Sequence, residues 1–100
     1  MLRIILIGAT GAMGRTIADL VKENEDYKIV AGLADKTDMS RDFPIYDKFE
    51  DIKEEGDVII DFSSRFLLDQ IIEFAKEKSY PVVFATTGYT DEDLEKINKL

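Results

Sequence analysis

The run Ile4-Ile5-Leu6-Ile7-Gly8-Ala9-Thr10-Gly11-Ala12-Met13-Gly14-Arg15 sets an unbroken apolar strand directly before a glycine-rich turn and the start of a helix. Consecutive aliphatic residues suit a strand covered on both faces, as in parallel sheets. The three glycines then free the backbone for a sharp turn and for close approach of a ligand. A helix opening near Ala12 points its unpaired N–H groups, and the positive end of its dipole, at whatever lies before it, and phosphate is the group such an end attracts. In a dinucleotide site each glycine has a task. Gly8 turns the chain off the strand, Gly11 lets backbone reach the pyrophosphate, and Gly14 brings the helix close to the sheet. Ala9, Thr10, Ala12 and Met13 fill the positions between the glycines, with the Met13 side chain expected in the core.

The spacing is Gly-x-x-Gly-x-x-Gly, because Thr10 stands where the middle glycine of G-x-G-x-x-G would be. Its meaning comes from context. A second apolar run, Ile29-Val30-Ala31-Gly32-Leu33-Ala34, ends in Asp35, 21 residues beyond Gly14. A carboxylate at the tip of the second strand is placed to accept hydrogen bonds from the ribose hydroxyls of adenosine. The plainer alternative is a glycine turn that serves packing alone, with Asp35 a solvated loop acid.

Further along, strands and helices alternate. The first helix carries Met13, Ile17, Leu20 and Val21 at 3.6-residue spacing, the expected apolar stripe. A strand is expected over residues 28–34, a short edge strand at most over 43–46 because Pro44 cannot donate to a ladder, and a weak helix or turn over 49–54. The next buried strand is 57–62, and Ser63 or Ser64 is placed to cap a long helix ending at Lys78, buried through Leu67, Leu68, Ile71, Ile72, Phe74 and Ala75. The last strand is 81–85. Thr90 with Asp93 is a capping signal for a terminal amphipathic helix over 91–100, with Leu94, Ile97 and Leu100 on one face. This alternation predicts an α/β fold, a Rossmann-like doubly wound parallel sheet. Four clear strands and one doubtful one fall short of the usual six, and no stop signal follows the last helix. The expectation is a dinucleotide-binding domain over 1–100, incomplete at its C-terminus and cut from a larger protein.

Composition narrows the function. The 13 basic and 21 acidic residues give a net charge of -8, which opposes binding to nucleic acid or anionic lipid. No apolar run approaches the length of a membrane span, and the chain begins at once with a strand, so a cytoplasmic setting is expected. There is no cysteine, hence no disulfide and no thiolate metal site. There is also no histidine, and no carboxylate pair spaced for shared work, so no catalytic residue is assigned.

Ligands of open parallel sheets bind at the carboxyl ends of the strands. Those ends are residues 8–13, Asp35-Lys36, Phe62-Ser63-Ser64 and Ala85-Thr86-Thr87-Gly88, and they are expected to converge on one crevice. Asp35 favours a free 2'-hydroxyl, as in NAD. Lys36 has two readings: a partner for the 2'-phosphate of NADP, or a solvated charge. Thr86, Thr87 and Gly88 either orient a nicotinamide or form a plain turn. Arg15 either touches phosphate or is solvated, and Asp61 reads as a structural acid.

Taken together, Gly8-Ala9-Thr10-Gly11-Ala12-Met13-Gly14-Arg15, Val58-Ile59-Ile60-Asp61-Phe62-Ser63 and Ala85-Thr86-Thr87-Gly88-Tyr89 resemble the N-terminal half of the 4-hydroxy-tetrahydrodipicolinate reductases, also called dihydrodipicolinate reductases. The resemblance implies a reductase of lysine and diaminopimelate biosynthesis that passes hydride from NADH or NADPH to a cyclic dicarboxylate. It assigns Gly8, Ala9, Thr10, Gly11, Ala12 and Met13 to the pyrophosphate and Asp35 to the adenosine ribose. Phe62, Ser63, Ala85, Thr86 and Thr87 fall to the nicotinamide end. It further implies a second domain, with a His-His pair and a lysine, that binds the dicarboxylate and donates the proton, and a homo-tetramer. The chain departs from the family pattern at Ala12, often arginine or lysine, at Ala85, often glycine, and at Ser64-Arg65-Phe66, where Pro-Glu is usual. A stand-alone NAD(P)-sensing module is one alternative. A semialdehyde dehydrogenase nucleotide domain is another, since those enzymes open with a similar Gly-Ala-Thr-Gly turn.

Overall fold

The computed structural model describes residues 1–35, 41–85 and 88–99. Five strands, β1 (Leu2–Ile7), β2 (Tyr27–Leu33), β3 (Ile45–Tyr46), β4 (Val58–Asp61) and β5 (Val82–Phe84), alternate with helices α1 (Ala12–Lys22), α2 (Leu68–Lys78) and α3 (Asp91–Asn98). Short 3-10 turns at Phe49–Asp51 and Arg65–Leu67 precede β4 and α2. The sheet order is β3-β2-β1-β4-β5, and every neighbouring pair is parallel. The chain moves outward from β1 to β3, then returns past β1 to β4 and β5. That reversal beside β1 is the switch point of a doubly wound Rossmann-like sheet, as expected, and the doubtful fifth strand is real.

β1 shows why the sheet is covered on both sides. Successive side chains of a strand alternate in direction. Ile5 and Ile7 join Ile71, Phe74 and Ala75 of α2 in one apolar cluster, while Ile4 and Leu6 join Ala18 of α1 and Ile29 in the other. The four aliphatic residues of β1 thus feed two separate cores. β3 sits at the sheet edge directly after Pro44, where a residue without an N–H costs no ladder bond.

Two periodicity readings need correction. On α1, Met13 is 55% and Leu20 61% exposed, whereas Gly14 and Ala18 are buried and Ile17 and Val21 half-buried. The closest approach is made by the two smallest of these, Gly14 and Ala18. A Cβ on Gly14 would lie 2.0 Å from the Gly8 carbonyl oxygen, so α1 seats directly on the turn; Ile17 and Val21 pack against the core beside Ala18 as expected, and Met13 and Leu20 are rotated off it. On α3 the buried residue is Asp93, while Leu94 is exposed and Leu100 lies outside the described residues.

Gly14→Ala tests this seating through the sign of its effect. In an open helix the exchange stabilises by about 1 kcal/mol. Here it should destabilise by roughly 1 to 3 kcal/mol, because the added methyl meets backbone that cannot yield. Urea denaturation of the two chains measures the difference, and a stabilised variant would show that α1 does not rest on Gly8.

Candidate functional site

All five strands point their C-terminal ends to one edge, and the tips of β1, β2 and β4 are tied together there by backbone. The Gly8 and Ala9 N–H groups donate to the Leu33 carbonyl at 2.7 and 3.2 Å, and the Phe62 N–H donates to the Ile7 carbonyl at 3.0 Å. Gly8 has φ of +83°, and a Cβ there would lie 2.8 Å from the Phe62 carbonyl oxygen, so turn direction and closeness both demand glycine. The Gly11 N–H donates back to the Gly8 carbonyl at 3.2 Å and closes the turn. Gly11 is also the N-cap of α1, with no side chain capping this end and no acid in the first turn. The amides of Ala12 and Met13 therefore open the helix without a competing side chain of the protein.

A cavity of about 620 Å³ lies over these tips. Of the residues singled out from sequence, Gly8, Thr10, Gly11, Asp35, Phe62 and Ser63 line it. Ala12 and Met13 are exposed beside it, in the opening turn of α1. Ala9 departs from the expectation: it is buried with Leu6, Ala18 and Ile29, and its amide is spent on Leu33, so it supports the turn from beneath. Ala85 is half-buried at the end of β5, where its N–H donates to the Asp61 carbonyl at 2.9 Å, and it is not on the cavity wall. Lys36, Thr86 and Thr87 lie outside the described residues.

Sequence reasoning missed part of the wall. Ser64, named with Phe62 and Ser63 at the β4 tip, lines the cavity as expected, but Leu33, Ala34, Asp47, Phe49, Phe66, Leu67 and Gln70 line it as well. Asp47 follows β3, whose Tyr46 carbonyl accepts from the Ala34 N–H at 2.9 Å, so a second carboxylate stands on the strand tip next to that of Asp35. Reading 43–46 as a parallel strand beside β2 would have located it. Phe66, Leu67 and Gln70 come from the first turns after β4, and their signal was an aromatic side chain at a helix start, where polar residues prevail. A neighbouring cleft of about 480 Å³ between the Phe49–Asp51 turn and α2 contains none of the glycine turn.

Polar groups fix the β4 tip. The fully buried Asp61 carboxylate accepts from the Ser63 N–H at 2.9 Å, from the Ser63 hydroxyl, and from the Tyr89 hydroxyl at 3.2 Å. Asp61 is thus the structural acid expected, and it orients Ser63 on the cavity wall. Ser64 caps the Arg65–Leu67 turn by accepting from the Phe66 N–H at 3.3 Å. Arg65 Nε then donates to Asp93 at 2.9 Å, and Asp93 closes a capping box with Thr90. The Thr90 amide, with the Arg65 guanidinium assisting, holds the Asp93 carboxyl below its ordinary value of 3.8.

A carboxylate whose folded value is lowered contributes stability that is complete above the unfolded value and fades as acid protonates it. The melting temperature of Asp93→Asn should therefore fall below that of the unaltered chain at neutral pH. The gap should close as pH drops below 3.8. A gap independent of pH would show that the charge on Asp93 is irrelevant to the docking of α3.

A parallel sheet with a glycine turn at its switch point, a helix start left open, and a carboxylate on the adjacent strand tip defines the Rossmann class of nucleotide-binding folds. The family described as dihydrodipicolinate reductase, N-terminus, matches residues 2–100, and the chain belongs to it. It is 40% identical over 99 residues to 4-hydroxy-tetrahydrodipicolinate reductase of Caldanaerobacter subterraneus subsp. tengcongensis, a match covering 99% of this chain and 39% of that protein. Dipicolinate-bound dihydrodipicolinate reductase from Paenisporosarcina sp. TG-14 superposes with a TM-score of 0.81 at 25% identity, over 100% of this chain and 45% of that one. A scyllo-inositol dehydrogenase from Lactobacillus casei, solved with bound cofactor NAD(H) and scyllo-inositol, shares the fold at a TM-score of 0.67 and 19% identity, over 84% and 27% of the two chains. The chain spans about two fifths of the length of the curated relatives it matches. Among the described residues no helix is long and apolar enough to cross a membrane.

Proposed function

We propose that these residues bind NADH or NADPH, and that they are the coenzyme-binding part of a 4-hydroxy-tetrahydrodipicolinate reductase acting in lysine and diaminopimelate biosynthesis. The observation that carries the reading is the cavity in which the Gly8–Gly11 turn, Asp35 and Ser63 meet beside the open end of α1. The residues present fit such a coenzyme. Gly8 and Gly11 keep side chains out of the cradle, the amides of Ala12 and Met13 suit a diphosphate, and exposed Asp35 suits a ribose diol. The name of the Caldanaerobacter relative and the dipicolinate bound by the Paenisporosarcina enzyme support the reductase assignment.

The coenzyme supplies a hydride when bound. What this chain contributes is position: the glycine turn and α1 hold the diphosphate, Asp35 holds the adenosine ribose, and Phe62 and Ser63, with Ala85, Thr86 and Thr87, serve the nicotinamide end. Lys36 is the residue available for a 2'-phosphate. The family resemblance assigns the proton donor and the groups that hold the dicarboxylate to a second domain with a His-His pair, and no histidine is among the 100 residues. On this reading the 100 residues alone bind coenzyme and turn nothing over.

Titration of NADH and NADPH by coenzyme fluorescence tests this. Gly11→Ala should weaken both at least roughly tenfold, a loss of about 1.4 kcal/mol. Its stability cost should stay near 1 kcal/mol, the order of an N-cap preference, since the added methyl meets only the Gly8 carbonyl at 3.5 Å. Asp35→Ala should weaken NADH more than NADPH, and Lys36→Ala the reverse. Failure of the unaltered chain to bind either coenzyme would overturn the reading.

A further inference from the structure

Phe66 is 81% exposed, yet the residues on its C-terminal side, Leu67 and Leu68, turn inward. Its backbone is pinned. The Phe66 N–H donates to the Ser64 hydroxyl at 3.3 Å, and the Leu67 N–H to the Ser64 carbonyl at 3.0 Å, so the ring projects from a capped turn and not from a loose loop. Its side chain is held as well, because the Arg65 guanidinium sits over the ring, 5.1 Å from the centroid. That guanidinium is in turn fixed to Asp93 at 2.9 Å, which is locked by the α3 capping box. One face of the ring is therefore covered by a tethered cation, and exposure of the other leaves a flat apolar surface at the border of the cavity.

A single exposed aromatic residue on a protein surface is ordinary. One with a tethered cation over one face, on the wall of a cavity that the Asp35 carboxylate also lines, has a natural occupant. We propose that Phe66 is the platform on which the adenine ring stacks, so that this chain grips the adenosine half of its ligand through an aromatic face. The inference rests on the dinucleotide reading above and extends it to a residue with no place in the glycine turn or the ribose contact. A purine has a π-face whatever its edge groups, so stacking suits a wall whose neighbouring members, Leu33, Ala34 and Leu67, offer apolar contact.

The test is isothermal titration of the unaltered chain, Phe66→Ala, Phe66→Leu and Phe66→Tyr with ADP-ribose, NADH and nicotinamide mononucleotide. Because Phe66 is exposed, the variants should melt like the unaltered chain. Phe66→Ala should weaken ADP-ribose and NADH roughly tenfold, the usual worth of one base-aromatic stack. Phe66→Tyr should restore binding, Phe66→Leu should not, and nicotinamide mononucleotide should be indifferent to all three. If ADP-ribose binds the unaltered chain and Phe66→Ala equally well, or Phe66→Leu as tightly as phenylalanine, the stacking role falls while the dinucleotide site stands. If the unaltered chain binds neither ADP-ribose nor NADH, both fall together.

Discussion

The structure depends on the absence of side chains at one junction. Gly8 lies where the β1 tip, the β4 tip and the first turns of α1 converge. A Cβ on Gly8 would meet the Phe62 carbonyl at 2.8 Å, and one on Gly14 would meet the Gly8 carbonyl at 2.0 Å. Backbone therefore packs on backbone on two sides of Gly8. This closeness brings the open end of α1, the Asp35 strand tip and the Ser63 wall within reach of a single ligand. Adding a methyl at either glycine would push α1 or β4 outward and take the first-turn amides away from the cavity.

A second layer of constraint is polar and reaches the site from behind. Buried Asp61 collects the Ser63 amide and hydroxyl and the Tyr89 hydroxyl, while Arg65 bridges from the turn before α2 to Asp93 on α3. Both carboxylates are buried, and each has donors converging on it, the condition under which a buried acid stabilises a fold instead of burdening it. The result is that the segment after β4, which walls the cavity, is anchored to the segment after β5. Residues far apart in the chain, 65 and 93, thus hold the same edge of the site.

Much of the architecture was legible from local pattern. The aliphatic run of β1 and the glycine turn fell where expected, as did the cap at Thr90, because each rests on chemistry between residues a few positions apart, whereas Ser64 caps only the short Arg65–Leu67 turn and α2 opens after Leu67 without a side-chain cap. The site was less legible. Gly8, Thr10, Gly11, Asp35, Phe62 and Ser63 were expected at strand tips and do line the cavity, since a strand tip in a parallel sheet can be located without knowing its neighbours. Asp47 and Gln70 were not, because their place on the wall depends on which strands lie side by side. Met13 and Leu20 were misread because hydrophobic spacing reports a helix face but not how close the helix sits. With Gly14 seated on the turn, Gly14 and Ala18 make the closest contact, Ile17 and Val21 pack at its margin, and Met13 and Leu20 are left outside it.

Strand identity, the turn at Gly8, the caps and the acid at the second strand tip follow from the linear order of residues, since each is decided by sterics and hydrogen bonding over a few bonds. The order β3-β2-β1-β4-β5, the burial of Asp61 and Asp93 among their donors, and the exposure of Phe66 at a cavity border were decided only when the chain folded. The physical reason is range: those features come from contacts between segments tens of residues apart, and burial is a property of the packed whole that no local pattern encodes.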